Sequence, residues 1–516
     1  MNYLKLFFLL FLGFVFTASA AQKNILLIIA DDYGADSSSL YNTNASATLP
    51  PTPNIVSLAQ NGVLFRNAYA NPVCSPTRAC LITGRHGFRT GVGDVGMGTT
   101  ATLGALEFTL PEAFAANSGL GFSLAQFGKW HLANGPNSPS TIGGWTNFAG
   151  SLQGAIANYT NWTKTVNGVS TANYTNYATT DLVNDAVAWI QGRGTNAWFA
   201  WIAFNAPHTP LHKPPISLCP HYTSLSGTQA DINANPKNYF AAMTEAMDTE
   251  MGRLLAAVNL TNTHIIFMGD NGTMGNVIQP PYLSTRGKDT LYEGGIHVPF
   301  IIRSPSVVNP GRTNDTPVHA VDVFATILEL ATINVAATVP TNISIDSRSL
   351  LPMLQSTSAV TRYSYSEKFD TNAPVASDGR TLRNAEFKLI QFHDGHEEFF
   401  NLLNDPYEST NLLSRALTAT EQGNYYNLLL KFSEYQDGIP TTVITKFSKT
   451  NLQFSIAVQR TTNLTYSLWR AAELDALAWV PVSSALIVTN GVVTVTLTDT
   501  NATAAQNFYR VISTPF

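Results

Sequence analysis

Three features of the sequence predict an α/β fold: a large, mostly parallel central sheet sandwiched by helices, a small antiparallel C-terminal subdomain, and an appended β-sandwich. Four apolar runs stop at Asp, Asn, His or Arg residues, helical periodicities lie between them, and short alternating strands take over after about residue 360.

The first run, Asn-Ile-Leu-Leu-Ile-Ile-Ala from Asn24, ends at Asp31-Asp32-Tyr-Gly. Such continuity marks a strand buried on both faces. Comparable runs are Trp198 to Phe204 before Asn-Ala-Pro-His208, His264 to Met268 before Gly-Asp270-Asn271-Gly, and Val298 to Ile302. In the segment 239–258, Phe240, Met243, Met247, Met251, Leu254 and Val258 recur every three or four residues and predict a helix whose methionines pack the core. Further helices are expected at His319 to Ala331 and at Leu110 to Asn117, the latter with Pro111 in its first turn. Parallel sheets covered on both faces collect ligands at the carboxyl ends of their strands. Asp31, Asp32, His208, Asp270 and Asn271 all stand at such ends.

Residues 21–360 are therefore expected to form the catalytic α/β domain. Residues 361–440 form the antiparallel subdomain, with strands at Thr381 to Phe392, Glu397 to Leu402 and Asn404 to Pro406. After Gly438-Ile-Pro440 the chain becomes rich in Thr, Val and Asn, and Asn490-Gly491 is a hairpin signal before the alternating run Val492 to Thr498. This predicts a separate β-sandwich over 441–516.

Residues 1–20 read as a secretory signal: Lys5, the apolar stretch Leu6 to Phe16, then Ala18-Ser19-Ala20, with cleavage expected after Ala20. The apolar stretch is too short to span a bilayer, and no later segment is long and apolar enough. A secreted or periplasmic protein without a transmembrane segment follows. The 516 residues carry 29 Lys plus Arg against 34 Asp plus Glu, a net charge of −5 with no sustained basic run. That leaves nucleic-acid binding without a phosphate-neutralising surface. Only three cysteines occur, Cys74, Cys80 and Cys219, and an odd number in an exported chain implies that at least one does not form a bridge.

Adjacent carboxylates such as Asp31 and Asp32 repel, and a cation reverses that cost. Asp270 and Asn271 at a second strand end complete a set of four oxygen donors, which suits Ca²⁺ or Mg²⁺ better than zinc. The segment Cys74-Ser-Pro-Thr-Arg78 running into Ala79-Cys-Leu-Ile-Thr-Gly84 predicts a short helix with Cys74 at its amino end, where free N–H groups favour an anion, and Arg78 one turn on.

These residues resemble the type I sulfatases of the alkaline-phosphatase superfamily. The resemblance rests on Cys-Ser-Pro-Thr-Arg followed by Ala-x-Leu-x-Thr-Gly-Arg, the Ala-Asp-Asp-Tyr-Gly opening, Gly128-Lys-Trp-His-Leu132, and Ala206-Pro-His-Thr-Pro210. Further matches are Gly269-Asp-Asn-Gly272, Arg286-Gly-Lys288, Glu293-Gly-Gly-Ile-His-Val-Pro299 and Phe400 to Pro406, so it spans Asn24 to about Leu413. It implies that a maturation enzyme oxidises Cys74 to formylglycine, whose hydrate attacks sulfur with one hydroxyl and expels sulfate with the other. It implies one divalent metal, calcium with magnesium as the alternative, on Asp31, Asp32, Asp270 and Asn271. Arg78 and Lys129 would position the hydrate, His131 would act as a base in its collapse, and Lys288 and His208 would contact the sulfate, His208 also protonating the leaving alcohol.

Sulfated polysaccharides or oligosaccharides are the expected substrates, with a small-molecule arylsulfatase, or a phosphoester or phosphonate hydrolase of the same superfamily, as alternatives. A phosphate monoester carries up to two charges and often recruits a second metal, and no second set of Asp and His ligands is evident in the sequence. Cys80 and Cys219 are expected unpaired and buried, and His86, His212 and His297 are structural residues or pocket lining.

Overall fold

The computed structural model describes residues 22–95, 102–370, 373–432 and 435, together with the backbone of strands between 443 and 515. The expected signal at 1–20 lies outside the described residues. Ten strands form the central sheet: β1 (Asn24–Ala30), β2 (Val63–Phe65), β4 (Ser123–Gly128), β5 (Phe148–Gly150), β6 (Trp162–Val166), β7 (Val169–Tyr174), β8 (Trp198–Ala203), β9 (Thr263–Gly269), β10 (Phe300–Arg303) and β11 (Arg312–Asn314). Between β2 and β4 lies the two-residue strand β3 (Ala68–Tyr69). The order across the sheet is β11-β2-β10-β9-β1-β8-β4-β5-β6-β7, and β9, β1, β8, β4 and β5 run parallel. The run at Val298–Ile302 supplies β10, which turns antiparallel to β9.

Alternation along β1 builds both layers. Ile25, Leu27 and Ile29 join a core with the helices Cys74–Thr83, Leu110–Ala116 and Asp322–Leu330. Leu26, Ile28 and Ala30 face the other way, onto Pro53–Gln60, Ala178–Gln191 and Pro236–Ala256. Met243, Met247 and Met251 are fully buried there, as a core stripe at helical spacing should be.

Three local expectations need correction. The segment 319–331 does not start as a helix, because β12 (Val318–His319) pairs with β3, and the helix begins at Asp322. Thr381 to Phe392 is two strands, β14 (Gly379–Arg383) and β15 (Phe387–Phe392), since Asn384 turns the chain by accepting from the Glu386 and Phe387 amides. Asn404 to Pro406 is a turn closed on Asn401, with no strand partner. With β13 (Ser364–Lys368) and β16 (Glu397–Asn401), β14 and β15 make a four-stranded antiparallel sheet, against which the helix Ala419–Phe432 packs. The β-sandwich expected at 441–516 falls where only strand backbones are described; these pair antiparallel, Val443–Ser448 with Gln453–Val458 and Leu464–Ala471 with Phe508–Pro515 among them.

Candidate active site

Register brings the motifs together. Ala30 pairs with Gly269, Ile29 with Ala203, and Gly128 with Ala203, so four parallel strands end side by side. The residues that follow them, Asp31-Asp32, Asp270-Asn271, Lys129 to His131 and Asn205 to His208, emerge at one edge of the sheet. Gly128 is required at this edge: its φ is +93°, and a Cβ there would stand 1.9 Å from the Ala203 carbonyl oxygen.

Cys74 opens the helix Cys74–Thr83 beneath this edge, and Gly84 closes it with φ +70°. Its Sγ lies 3.5 Å from Asp31 Oδ1 and 3.6 Å from Lys288 Nζ. Burial pushes the thiol up to about 12, so the unmodified side chain is protonated.

Three cations answer three carboxylates. Lys129 Nζ donates to both oxygens of Asp31, at 2.9 and 2.8 Å. Arg78 Nε and Nη2 donate to Asp270 Oδ2 at 3.1 and 2.7 Å, while Nη1 donates to the Lys129 carbonyl at 3.0 Å. Lys288 Nζ lies 2.5 Å from Asp32 Oδ1. Burial opposes ionisation of Asp31, yet the charges of Lys129, His208, Arg78 and Lys288 hold its carboxyl well below the usual range. Asp270 goes the other way, raised by burial and by repulsion from Asp31. Lys288 is held well above its ordinary value, because the carboxylates of Asp32 and Asp31 outweigh the burial that opposes its charge.

The donor set fits a hard divalent cation. Asp32 Oδ2 and Asn271 Oδ1 are buried without a hydrogen-bond partner, although the other ends of both side chains are held, Asn271 Nδ2 donating to Asp32 Oδ1 at 2.8 Å. Unpartnered buried acceptors are costly unless something completes them. Asp31, Asp32, Cys74 and His208 also offer ligand atoms within 4.8 Å of one another. With the formal charges of the three pairs cancelling, a divalent ion would leave the pocket positive, as an anionic substrate requires.

His208 Nδ1 lies 2.8 Å from the Thr209 carbonyl oxygen, which can only accept, so Nδ1 carries a proton. Nε2 then faces the site, 3.7 Å from Asp32 Oδ2. His131 follows Lys129 with φ +54°, and burial, reinforced by Lys129 and Arg78, holds its imidazole well below the ordinary value. All ten expected site residues thus lie at this strand edge. Among their supports, Ser75 of the Cys74 motif donates to the His131 carbonyl at 2.9 Å, and Tyr159, which no motif marked, sets its hydroxyl 2.6 and 2.7 Å from the carbonyls of Asn205 and His208.

His86 packs against His319 and Tyr365, His297 stacks on Tyr69, and His212 lies tilted against Tyr159 with ring centroids 4.2 Å apart. Cys80 and Cys219 are buried and unpaired. Among the described residues no helix is long and apolar enough to cross a membrane.

The sulfatase family model matches residues 23–333, and a model described as N-sulphoglucosamine sulphohydrolase, C-terminal, matches 286–432. A sulfatase of Formosa agariphila is 28% identical over 77% of this chain and 85% of its own length. The N-acetylgalactosamine-6-sulfatase of Sus scrofa is 26% identical over 66% and 68%. The crystal structure of Ps i-CgsB in complex with k-i-k-neocarrahexaose superposes with a TM-score of 0.66 at 23% identity, covering 80% of this chain and 92% of the other. The match extends over more than half of the sequence and includes every strand that delivers the pocket, so this chain belongs to the sulfatase family and is a sulfuric ester hydrolase.

Proposed function

We propose that this sulfatase is exported and releases sulfate from sulfated polysaccharides or their oligosaccharides, using a formylglycine made from Cys74 beside one divalent cation, calcium in preference to magnesium. The observation that carries the reading is the seat of Cys74, at a helix amino end between Asp31 and Lys288, with a carboxylate oxygen of Asp32 within 4.8 Å. An exported chain with an added β-rich tail suits a polymeric substrate. The relatives named for N-acetylgalactosamine 6-sulfate and crystallised with neocarrahexaose support the carbohydrate class.

Asp31, Asp32, Asp270 and Asn271 would hold the cation, which supplies Lewis-acid polarisation of the sulfate and favours the ionised form of the attacking hydroxyl. Matured Cys74 supplies a geminal diol, one hydroxyl for attack and the other for expelling sulfate, where a plain serine would keep a stable ester. Arg78 fixes Asp270 and Lys129 fixes Asp31, which together set the position of the helix end that carries residue 74. Lys288 Nζ, close to both Cys74 and Asp32, is placed to bind a sulfate oxygen. His208 presents Nε2 as the atom that hands a proton to the leaving alcohol, and His131 accepts the diol proton in the collapse.

Co-expression with a formylglycine-generating enzyme should yield a Cys74 peptide about 18 Da lighter than the thiol form, and Cys74→Ala should abolish turnover. Sulfate release from defined sulfated sugars should exceed release from aryl sulfates. A fully active Cys74→Ala enzyme overturns the mechanism; turnover confined to aryl sulfates overturns the substrate class.

A further inference from the structure

The structure holds a cavity of about 560 Å³ that none of the motifs accounts for. It sits between the segment 151–157 and the β6–β7 ribbon. Its size falls within the roughly 300 to 1,000 Å³ of small-molecule pockets.

The inner wall is tied to the active site. Trp130 and His131 donate their amides to the carbonyls of Ser151 and Leu152, at 2.9 and 3.1 Å, and Ser151 shares a hydrogen bond with Asn205. Gly154 lies so close to the His131 ring that a Cβ would stand 2.4 Å from it. A molecule in the cavity would therefore rest against the segment whose carbonyls hold the Trp130 and His131 amides.

The lining is uncharged and mixes polar with apolar residues. Gln153, Asn161, Thr163 and Asn173 stand beside Leu152 and Ile156 in it. No Lys, Arg, Asp or Glu lines it among the described residues. The nearby Lys164 is bound to Asp181 and Asp185, at 2.5 and 2.7 Å. Amides and hydroxyls beside apolar side chains match the hydroxyls and C–H face of a sugar ring. A carboxylate or sulfate would find no cation to pair with among the described lining residues.

We propose that this cavity is a subsite for an uncharged sugar next to the sulfated one, which makes the preferred substrate a glycan whose neighbouring unit carries neither carboxylate nor second sulfate. This rests on the carbohydrate reading above.

The test uses matched disaccharides, sulfated galactose linked to galactose or to glucuronate at each sulfate position, with 4-nitrophenyl sulfate alongside. Matured full-length enzyme should show kcat/KM at least ~10-fold higher for the galactose member of the pair that it hydrolyses. Ala172→Trp, at an exposed lining position, should lower the ratio of disaccharide to aryl-sulfate kcat/KM by a similar factor. Gln153→Lys, also at an exposed position, should shift preference toward the glucuronate member by about threefold or more and covers the case in which the tryptophan variant fails to fold. Equal kcat/KM for the two members, or ratios unmoved in either folded variant, overturns the subsite while leaving the carbohydrate reading intact. Aryl-sulfate turnover without sulfate release from any disaccharide overturns both.

Discussion

Lys129 Nζ reaches both oxygens of Asp31, at 2.9 and 2.8 Å, with both side chains wholly removed from solvent. Arg78 Nη2, 4.0 Å away, is the next cation to Asp31. Removing one partner of a buried pair strands the other and typically costs about 3–5 kcal/mol. Lys129→Ala should therefore lower the denaturant midpoint and reduce sulfate release by at least ~100-fold. Chemical denaturation and single-turnover assays check the two effects separately.

Arg78 spends its three donor nitrogens on Asp270 and on the Lys129 carbonyl. Lysine keeps the charge but is a point donor that cannot hold both directions at once. Arg78→Lys should fold, since the buried charge of Asp270 stays compensated, yet lose ~10-fold or more in kcat. Wild-type kcat in this variant would show that the fork geometry is dispensable.

The oxygens of Asp32 and Asn271 left without partners point to cation binding. Elemental analysis should find one divalent ion per chain in wild type, with a marked loss in Asp32→Ala and Asn271→Ala. Oxygen–metal distances of about 2.3–2.6 Å in a crystal structure would identify calcium, and about 2.0–2.1 Å magnesium. Activity should fall on metal stripping and return with the ion; full activity in metal-free enzyme would rule the site out.

Glu367 is buried between the Phe88 amide and the Tyr365 hydroxyl, both 2.8 Å away, and burial raises its carboxyl to about 7. The folded chain keeps this proton where the unfolded chain has lost it. Stability from this group is therefore present at low pH and falls as pH rises from about 4.5 toward about 7. Glu367→Gln keeps an acceptor for the amide and does not titrate, so the difference in urea midpoint between variant and wild type should grow in the variant's favour across that interval. A constant difference from pH 4.5 to 8 would contradict the raised value.

The sequence alone determined the buried strands, because a strand covered on both faces must be apolar nearly throughout, and Ile25 to Ala30, Trp198 to Ala203 and Ile265 to Gly269 are. It also determined the chemistry carried at their ends, since Asp31-Asp32, Asp270-Asn271 and Cys74 to Arg78 stand in motifs with few other uses. Strand order is another matter. Ala30 and Gly269 are 239 positions apart in the chain, and nothing local states that they pair, yet that register puts Asp31 beside Asp270. The tertiary structure also decided which cation serves which carboxylate, where Asn384 breaks an apparently continuous strand, and that Tyr159 and Gly154 back His208 and His131. The physical reason is range: periodicity and motif spacing record what a residue needs from its immediate neighbours and its side of the sheet, whereas ion pairing and close backbone approach are settled only when distant segments exclude water from the same place.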